Sequence, residues 1–538
     1  MKKALLLLVV AVLFVSAVPT TLAQETPRKW WSDTTWYLLF VRSFYDSDGD
    51  GIGDLRGVIE KLDYLNDGDP NTTTDLGITG IWLMPIFEAQ SYHGYDALDY
   101  RAIEQDYGTE DDFRDLMDAA HERGIKIIVD MVLNHTSSQH EWFTASINAD
   151  PTYNDWFIWE DTNPAYKGPW GETAWYKKDD RYYYAVFWSE MPDLNYENPS
   201  VTVEMQDVAG FWLDEMGVDG FRLDAIKYVI EDEIEGRMIL ENAPANRAWL
   251  ADYNAYVKSQ NPDALTIGEI WDGTSVIKRY INEGSVDMAF EFEFAEDMIS
   301  TAISGNSKTV MNKMKFLLRD YPEGTWASFL TNHDQPRLLT LLKDDVGANR
   351  VVATIMMTAP GAPFIYYGEE IGMVGNKPDE LIRTPMQWDS TPVTGGFTTG
   401  TPWQPLTPDF ENVTVANETD DSDSLLSFYR DLIRLRNNNS AFVSGSTEVA
   451  TVKGTKVYSI LRQDENGTFL VVVNVDNRAV TNYDITLENV IFTSLTSATV
   501  LFGAGEVALP SLSADGTIEA YVPKAELAPY ETLIIKLF

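Results

Sequence analysis

Cysteine is absent from this chain of 538 residues. Its absence excludes disulfide bonds, zinc–thiolate sites and cysteine nucleophiles. Basic residues are scarce as well, because 40 Lys and Arg stand against 83 Asp and Glu and give a formal net charge of −43 at pH 7. A surface of that sign repels nucleic acids and anionic membranes, so we expect neither as a partner. Neutral ligands and bound cations remain compatible with this charge.

A long apolar run occurs once in the sequence, near the N-terminus. Lys2 and Lys3 precede the apolar residues 4–18, and the small-residue sequence TLA ends at Ala23. This layout is typical of a secretory signal peptide cleaved after Ala23, which predicts a secreted protein, extracellular or periplasmic. The run is shorter than the roughly 18 residues that a membrane-spanning helix needs, so a membrane anchor is the weaker interpretation. We expect a monomer without membrane attachment after cleavage.

Short apolar runs alternate with helix-like stretches from about residue 36 onward. Examples of the helix-like stretches are residues 111–123, 200–216 and 246–260. This alternation predicts a parallel sheet with crossover helices, and eight strands at this chain length predict an α/β fold closed as a (β/α)8 TIM barrel. The predicted strands span residues 36–41, 78–84, 126–132, 218–223, 264–268, 286–292, 326–330 and 363–367.

Two regions depart from the alternating pattern. Residues 135–195 form a long insertion after the third strand, and its many Trp and Tyr side chains either form a core of their own or line a groove. After residue 440, strands separated by turns predict an antiparallel β-sandwich. The predicted organisation is a signal peptide over 1–23, a barrel over 24–134 and 196–440, the insertion over 135–195, and a β domain over 441–538.

Three carboxylates follow predicted barrel strands. In a barrel of this type the active site lies at the C-terminal ends of the strands, and Asp224, Glu269 and Asp334 occupy such positions. A carboxylate at the end of an apolar strand is costly unless it is paired or used. Glycoside hydrolysis needs two carboxyl groups, one at the anomeric carbon and one that protonates the leaving oxygen. We therefore predict that these three residues are catalytic.

Basic and imidazole side chains accompany these carboxylates. Arg222 lies two residues before Asp224, so both side chains point to one face of the strand, where the guanidinium would keep Asp224 ionised. The chain has only five histidines, and His93, His135 and His333 all fall on the same side of the predicted barrel. Of these, His135 and His333 offer neutral donors for sugar hydroxyls.

Seven motifs carry a resemblance to a known family. They are 77–85 (GITGIWLMP), 130–135 (DMVLNH), 191–195 (MPDLN), 220–228 (GFRLDAIKY), 268–271 (GEIW), 329–334 (FLTNHD) and 361–373 (GAPFIYYGEEIGM). Together they resemble glycoside hydrolase family 13, the α-amylase superfamily, and MPDLN resembles the subfamily intermediate between oligo-1,6-glucosidases and neopullulanases. The resemblance implies a barrel domain A, the insertion as domain B, the β domain as domain C, and an α-glucan or maltooligosaccharide substrate.

The resemblance also implies a role for individual residues. Asp224 resembles the nucleophile that forms a covalent glycosyl-enzyme, Glu269 the general acid/base, and Asp334 the carboxylate that binds the 2- and 3-hydroxyls. Tyr95 resembles the aromatic platform under the scissile sugar. The residues that the resemblance places around the substrate are His93, Tyr95, His135, Arg222, Lys227 and His333.

The segment DSDGDGIGD, residues 46–54, is a candidate calcium loop. Four clustered carboxylates repel one another without a cation, and hard oxygen ligands at this spacing suit Ca²⁺. Gly57 stands where an EF-hand would have its bidentate Glu, so the EF-hand interpretation fails. The loop resembles the calcium loop of oligo-1,6-glucosidase-like family members. The implied ligands are the side chains of Asp46, Asp48, Asp50 and Asp54, with the carbonyl of Ile52.

Further alternatives stay open at this point. A second calcium site at Asn134 would need a carbonyl from Tyr228, which replaces the His common in α-amylases. The favoured activity is endo-hydrolysis of α-1,4 bonds, since secretion favours a polymeric substrate. An exo-acting α-glucosidase or oligo-1,6-glucosidase is the first alternative, because Asp96 resembles a residue that closes the site at the non-reducing end. The others are a cyclomaltodextrin or pullulan hydrolase, a transglycosylase, and a non-catalytic amylase-like binding protein.

Overall fold

The computed structural model describes residues 29–408, 410–491 and 494–538. The predicted signal peptide, residues 1–23, lies outside them. Eight parallel strands close a barrel in which each strand pairs with its neighbours in chain order, which confirms the (β/α)8 fold class. The barrel strands are Trp36–Leu39, Gly80–Leu83, Lys126–Met131, Gly220–Leu223, Leu265–Gly268, Met288–Phe290, Trp326–Phe329 and Ala362–Tyr366.

Register between the strands sets the level of the side chains at the barrel mouth. The third and fourth strands pair with Asp130 opposite Arg222, so a carboxylate and a guanidinium meet on one layer. Large aromatic rings fill the barrel beneath this layer. Phe290 contacts Trp82 with ring centroids 5.2 Å apart and Phe364 with centroids 5.0 Å apart. The barrel interior is therefore a packed core that supports a site at its C-terminal end.

Amphipathic helices cover the outside of the barrel. Glu110–Glu122 shows the pattern: Thr109 and Asp112 form a capping box at its start, and its buried side chains recur at helical spacing toward the strands. The longer helices are Leu55–Glu60, Glu110–Glu122, Pro199–Asp214, Pro244–Gln260, Thr274–Asn282, Phe292–Ser304, Lys308–Asp320, Val346–Thr358 and Leu425–Asn437.

Domain B follows the third barrel strand and has a small core of its own. Trp142, Trp156 and Trp175 are buried, whereas Trp170 and Trp188 are 57% and 52% exposed. Trp175 belongs to the small core of this insertion, whereas Trp142 and Trp156 join the main core of the molecule, and a groove lined by the exposed rings remains a prediction. Its elements are the helix Glu141–Ile147 and an antiparallel sheet of Trp159–Glu160, Trp175–Lys178 and Arg181–Tyr184.

The C-terminal domain consists of two antiparallel sheets. A hydrogen bond joins it to the barrel domain, because the hydroxyl of Ser307 donates to the carbonyl of Val457 at 2.8 Å. In the part of the chain that the structure describes, no helix is both long and apolar enough to cross a membrane. The larger sheet contains Ser446–Val449, Val457–Gln463, Thr468–Asn474, Thr532–Leu537 and Ala498–Phe502, and the smaller sheet contains Thr451–Val452, Ile485–Leu487 and Ile518–Tyr521.

Candidate active site

Arg222 stands at the centre of the barrel mouth and joins two of the predicted catalytic residues. Its side chain is fully buried. Nη1 lies 2.5 Å from Asp224 Oδ1, and Nη2 lies 2.8 Å from Glu269 Oε2. The backbone N–H of Ala225 also donates to Glu269 Oε2, at 2.9 Å. The structure thus brings Asp224 and Glu269 together on adjacent nitrogens of one guanidinium.

Asp130 is a further carboxylate in this cluster, and sequence reasoning did not single it out as a functional residue. Its Oδ1 accepts from Arg222 Nη1 at 2.7 Å. Its Oδ2 accepts from the Tyr95 hydroxyl at 3.0 Å and from Trp82 Nε1 at 3.2 Å. Asp130 lies in the strand itself, on the same layer as Arg222, so the alternation of the strand was the signal that could have found it.

Burial governs the protonation of the cluster. It raises the pKa of Asp224 and of Glu269 to about 7 each, against the opposing charge of Arg222. It also raises the pKa of Asp130 to about 6. The contact predicted between Arg222 and Asp224 is present, but burial outweighs it. Three carboxylates around one guanidinium would carry a net charge of minus two if all were ionised, so the cluster retains a proton near neutral pH.

Asp334 belongs to a second charged group at the same mouth. Arg383 Nη2 lies 2.9 Å from Asp334 Oδ1, and His333 Nε2 lies 3.3 Å from Asp334 Oδ2. Burial acts to raise the pKa of Asp334, but His333 and Arg383 outweigh it and hold that pKa below its usual value. Arg383 lies in the long loop region after the eighth strand, and no sequence signal pointed to it.

One aromatic and two imidazole side chains lie beside these carboxylates and contact one another. They are Tyr95, His135 and His333. The Tyr95 hydroxyl and His333 Nε2 are 2.5 Å apart, and the two rings are stacked at 5.6 Å. His135 Nε2 lies 3.1 Å from the Tyr95 carbonyl. Burial lowers the pKa of His135 to about 4 and that of His333 to about 3. Both imidazoles are therefore neutral at neutral pH.

The side chains of His93 and Lys227, both predicted to bind substrate, make hydrogen bonds and ion pairs with other groups of the protein. His93 Nδ1 accepts from the backbone N–H of Tyr95 at 3.1 Å. The Lys227 ammonium donates to the Trp271 carbonyl at 2.9 Å and pairs with Glu241 at 3.0 Å and Asp272 at 3.4 Å. An ammonium group has three hydrogens, and these three acceptors can use all of them.

The acidic loop follows the first barrel strand, and its predicted calcium ligands remain a prediction. Oxygen atoms of Asp46, Asp48 and Asp50 lie within 4.8 Å of one another. Burial, with the charges of Asp48 and Asp46, raises the pKa of Asp50. The carboxylate of Asp54 accepts from the Gly57 N–H at 2.7 Å as the N-cap of the following helix. The Ile52 N–H donates to Asp50 Oδ1 at 2.8 Å.

Comparison with known proteins identifies the family to which this barrel and its mouth belong. The family model described as "Alpha amylase, catalytic domain" matches residues 38–445. The chain belongs to the α-amylase family. The predicted membership of glycoside hydrolase family 13 is thereby confirmed. The protein is a glycoside hydrolase.

Individual members of the α-amylase family are similar over most of the chain. Alpha-amylase 3 of Dictyoglomus thermophilum is 37% identical over 456 residues, covering 83% of this chain and 85% of that protein. Oligo-1,6-glucosidase of Heyndrickxia coagulans is 33% identical over 529 residues, covering 84% of this chain and 93% of that protein. The crystal structure of alpha-amylase from H. orenii superposes with a TM-score of 0.80 at 39% identity, covering 94% of this chain and 99% of that one.

Proposed function

We propose that this hydrolase is secreted and cleaves α-1,4-glucosidic bonds in starch-like glucans and maltooligosaccharides, with retention of anomeric configuration. The observation that carries the proposal is the placement of Asp224 and Glu269 on the two terminal nitrogens of Arg222. Retaining glycosidases need two carboxyl groups close together, at roughly 5–5.5 Å. One guanidinium that binds both groups is a direct way to keep them close.

Asp224 and Glu269 divide the chemistry between them. Asp224 attacks the anomeric carbon with Oδ2, while Arg222 holds its Oδ1. Glu269 protonates the departing oxygen, and its Oε2 is held by Ala225 and Arg222, which leaves Oε1 for the transferred proton. Water then enters, gives its proton to Glu269, and releases the sugar from Asp224. The raised pKa of Glu269, about 7, supplies the protonated form that the first step needs.

The remaining mouth residues bind the scissile sugar. Asp334 and His333 accept and donate hydrogen bonds to its hydroxyls, and Tyr95 lies beneath its ring. Arg383 donates to Asp334 Oδ1 and to the His333 carbonyl, so it fixes both of these residues from outside. This arrangement allows contacts to the sugar to strengthen as it distorts toward the transition state.

Two observations favour amylase-type endo action over exo action. Asp96, the residue that would favour an exo-acting enzyme, is buried, and its Oδ1 accepts from the N–H and hydroxyl of Ser91 at 3.1 and 2.7 Å. An open cleft of about 390 Å³ begins at Glu269, on the leaving-group side, and offers room for a continuing chain. The similarity to Alpha-amylase 3 points the same way.

Calcium is the proposed cofactor, and the acidic loop fits it. Asp46, Asp48 and Asp50 provide three carboxylates within 4.8 Å of one another, and the carbonyl of Ile52 lies in the same loop. Carboxylate and carbonyl oxygens are the ligands that Ca²⁺ prefers. A calcium ion held by these residues would neutralise the repulsion among their carboxylates and fix the loop. Asp54 contributes by capping the helix that follows.

A second calcium site between domains A and B also fits the residues present. Asp193 is buried, and the charge of Glu231 adds to burial in raising the pKa of Asp193. Among the described residues, none donates a hydrogen bond to Asn134 Oδ1, Asp193 Oδ2 or Glu231 Oε1. Three buried oxygens without donors match the demand of a hard cation. We include this site in the proposal.

The test is a comparison of substrates with the wild-type enzyme and the Glu269→Gln variant. We expect a rapid fall in starch viscosity with release of mixed maltooligosaccharides, and loss of this activity in the variant. Release of glucose from maltotriose or isomaltose with little change in starch viscosity would instead favour an exo-glucosidase. If no α-glucan is turned over, the proposed function is wrong. Nuclear magnetic resonance of the first anomer released tests retention.

A further inference from the structure

Three buried hydroxyl groups donate to three consecutive backbone carbonyls in the long loop region after the eighth strand. Ser43, Tyr366 and Tyr367 form this hydroxyl clamp. Tyr366 donates to the carbonyl of residue 382 at 3.0 Å, Ser43 to that of residue 383 at 2.6 Å, and Tyr367 to that of residue 384 at 2.8 Å. Carbonyls in an irregular loop have no strand partner, so these donors determine the path of the backbone.

The barrel holds the hydroxyl clamp in place. Tyr366 ends the eighth strand and Tyr367 follows it, whereas Ser43 lies in the helix Val41–Phe44 after the first strand, which pairs with the eighth. The guanidinium carbon of buried Arg337 lies 4.6 and 4.7 Å from the centroids of the two tyrosine rings. Arg337 also donates to the Tyr367 carbonyl at 2.7 Å. The clamp therefore fixes the loop relative to the barrel strands.

The hydroxyl proton of Ser43 has a defined direction. Trp403 Nε1, which can only donate, lies 3.1 Å from Ser43 Oγ. Ser43 Oγ accepts from Trp403, so its own proton is directed to the carbonyl of Arg383. The Ser43 carbonyl also accepts from the N–H of Met386 at 2.7 Å. Ser43 is thus bound to the loop through both its side chain and its backbone.

The backbone that the clamp holds carries Arg383, whose buried side chain extends to the barrel mouth. Its Nη2 lies 2.9 Å from Asp334 Oδ1 and 2.9 Å from Asp379 Oδ2, and its Nε donates to the His333 carbonyl at 2.8 Å. The side chain of Asp334 remains 31% exposed. Asp334 is therefore held by Arg383 on one side and is accessible to a ligand on the other.

We propose that the three residues of the hydroxyl clamp are positioning residues for the reaction at the scissile sugar. Their hydroxyls fix the backbone of Arg383, whose guanidinium then keeps Asp334 directed at the sugar hydroxyls. This inference rests on the proposed function, in which Asp334 binds those hydroxyls. A displacement of about 1 Å at a group that contacts the reacting sugar can lower the rate by roughly 10²-fold. Loss of one clamp hydroxyl therefore affects the reaction from a distance, without removing a contact to the substrate.

The first test compares two substrates that differ in one sugar hydroxyl. α-Maltosyl fluoride carries a 2-hydroxyl on the reacting sugar, and its 2-deoxy analogue lacks that group. We expect Ser43→Ala, Tyr366→Phe and Tyr367→Phe each to lower kcat/KM for α-maltosyl fluoride by about tenfold, but for the analogue by about threefold or less. The analogue is less sensitive because it has already lost one of the contacts that the clamp maintains.

Ser307→Ala is the matched control for Ser43→Ala. The Ser307 hydroxyl is also buried and donates to a backbone carbonyl, that of Val457 at 2.8 Å, but it lies where the barrel meets the C-terminal domain. This variant should turn over both substrates like the wild type.

The outcomes separate this inference from the proposed function. Equal losses on the two substrates in the clamp variants, or a control that loses as much as Ser43→Ala, would indicate a general distortion and overturn the positioning role. Wild-type rates in all three clamp variants would also overturn it and would leave the proposed function intact. If the wild type turns over neither starch nor the fluorides, the proposed function has failed, and the inference fails with it.

A double-mutant cycle tests whether the clamp acts through Arg383. Arg383→Met removes the contact to Asp334, so we expect Ser43→Ala to add little to the loss of activity in that background. If the two losses add fully, Ser43 acts by another route and the inference is wrong.

Ground-state affinity distinguishes a positioning role from a purely structural one. We expect maltotriose to bind the Glu269→Gln enzyme with an affinity that changes less than about threefold when Tyr367→Phe is added, because the contact to Asp334 strengthens mainly as the sugar distorts. Calorimetry measures this affinity. A loss of affinity as large as the loss of turnover would mean that the clamp maintains the whole pocket, and the inference would be overturned.

Discussion

Two groups of carboxylates lie near the same end of the barrel, and the repulsion among their negative charges is compensated by different partners. The mouth cluster is Asp130, Asp224 and Glu269, and the loop cluster is Asp46, Asp48 and Asp50. In the mouth cluster all three carboxylates contact Arg222, at 2.5 to 2.8 Å. In the loop cluster the carboxylates accept instead from backbone N–H groups, such as that of Gly49 at 2.7 Å.

The difference follows from burial. Carboxylates removed from water need a cation that arrives with the fold, because an uncompensated buried charge costs several kcal/mol. In the loop cluster Asp48 and Asp50 are exposed to water, and the buried Asp46 accepts from the N–H groups of Gly49 and Gly51, each at 2.7 Å. The guanidinium of Arg222 compensates the mouth cluster within the fold, whereas the proposed calcium ion would compensate the loop cluster from solution. Each cluster can be perturbed without touching the other.

The largest effect is expected from removal of Asp224, the proposed nucleophile in the mouth cluster. Asp224→Asn keeps the size of the side chain but cannot form the glycosyl-enzyme, so we expect starch hydrolysis to fall by about 10⁴-fold or more. Initial rates of reducing-sugar release measure this loss. Asp111→Asn, a change at an exposed carboxylate on a barrel helix, is the control and should act like wild type. A rate for Asp224→Asn within tenfold of wild type would assign the nucleophile to another residue.

Removal of the built-in cation should affect both activity and stability. Arg222→Met leaves buried Asp130 without its partner, and we expect about 3–5 kcal/mol of destabilisation, with activity reduced roughly 10²–10³-fold. Denaturant unfolding and initial rates measure the two effects. Arg222→Met combined with Asp130→Asn should recover part of the stability but not the activity. If the double variant is no more stable than Arg222→Met, the charge argument for the mouth cluster is wrong.

The pH dependence of activity should report the protonation of the mouth cluster. Glu269 must be protonated for the first step, and its pKa is raised to about 7. Activity on maltotriose should therefore fall about tenfold per pH unit above pH 7. On the acid side activity should fall as Asp224, whose pKa is also raised to about 7, takes up a proton. The kcat/KM profile is thus a bell centred near neutral pH, with limbs that belong to the pair.

A substrate that needs no proton provides the control for the alkaline limb. The fluoride of α-maltosyl fluoride leaves without general acid catalysis, so its profile should lose the alkaline limb and keep the acid limb. The same alkaline limb for both substrates would mean that a group other than Glu269 causes it. The acid limb should disappear for neither substrate, since both need ionised Asp224.

Sequence patterns predicted the barrel and most of the charged residues at its mouth. Each predicted strand overlaps a barrel strand, because short apolar runs between amphipathic helices leave few other folds. Asp224 and Glu269 could be predicted because residues that follow barrel strands must lie at the mouth. Arg383 could not, since its contact with Asp334 joins positions 49 residues apart through an irregular loop. The three acceptors of Lys227 were equally invisible, because they depend on how the loops after two strands meet.

The smallest effect is expected at the loop cluster. A site that binds calcium only in the folded state adds stability by mass action, roughly 2.7 kcal/mol at a hundredfold excess over its Kd. We expect the melting temperature to rise with added calcium and to fall with a chelator. Asp48→Asn combined with Asp50→Asn should remove most of the response, and Asp111→Asn should not.

A second calcium site is proposed at Asn134, between domains A and B. A residual response that disappears with Asp193→Asn would therefore distinguish this second site from the loop cluster. If the melting temperature of the Asp48→Asn/Asp50→Asn variant rises with calcium as much as that of the wild type, the loop cluster does not bind the ion. Water and backbone N–H groups would then be sufficient to stabilise its carboxylates, and the two clusters would differ in burial alone.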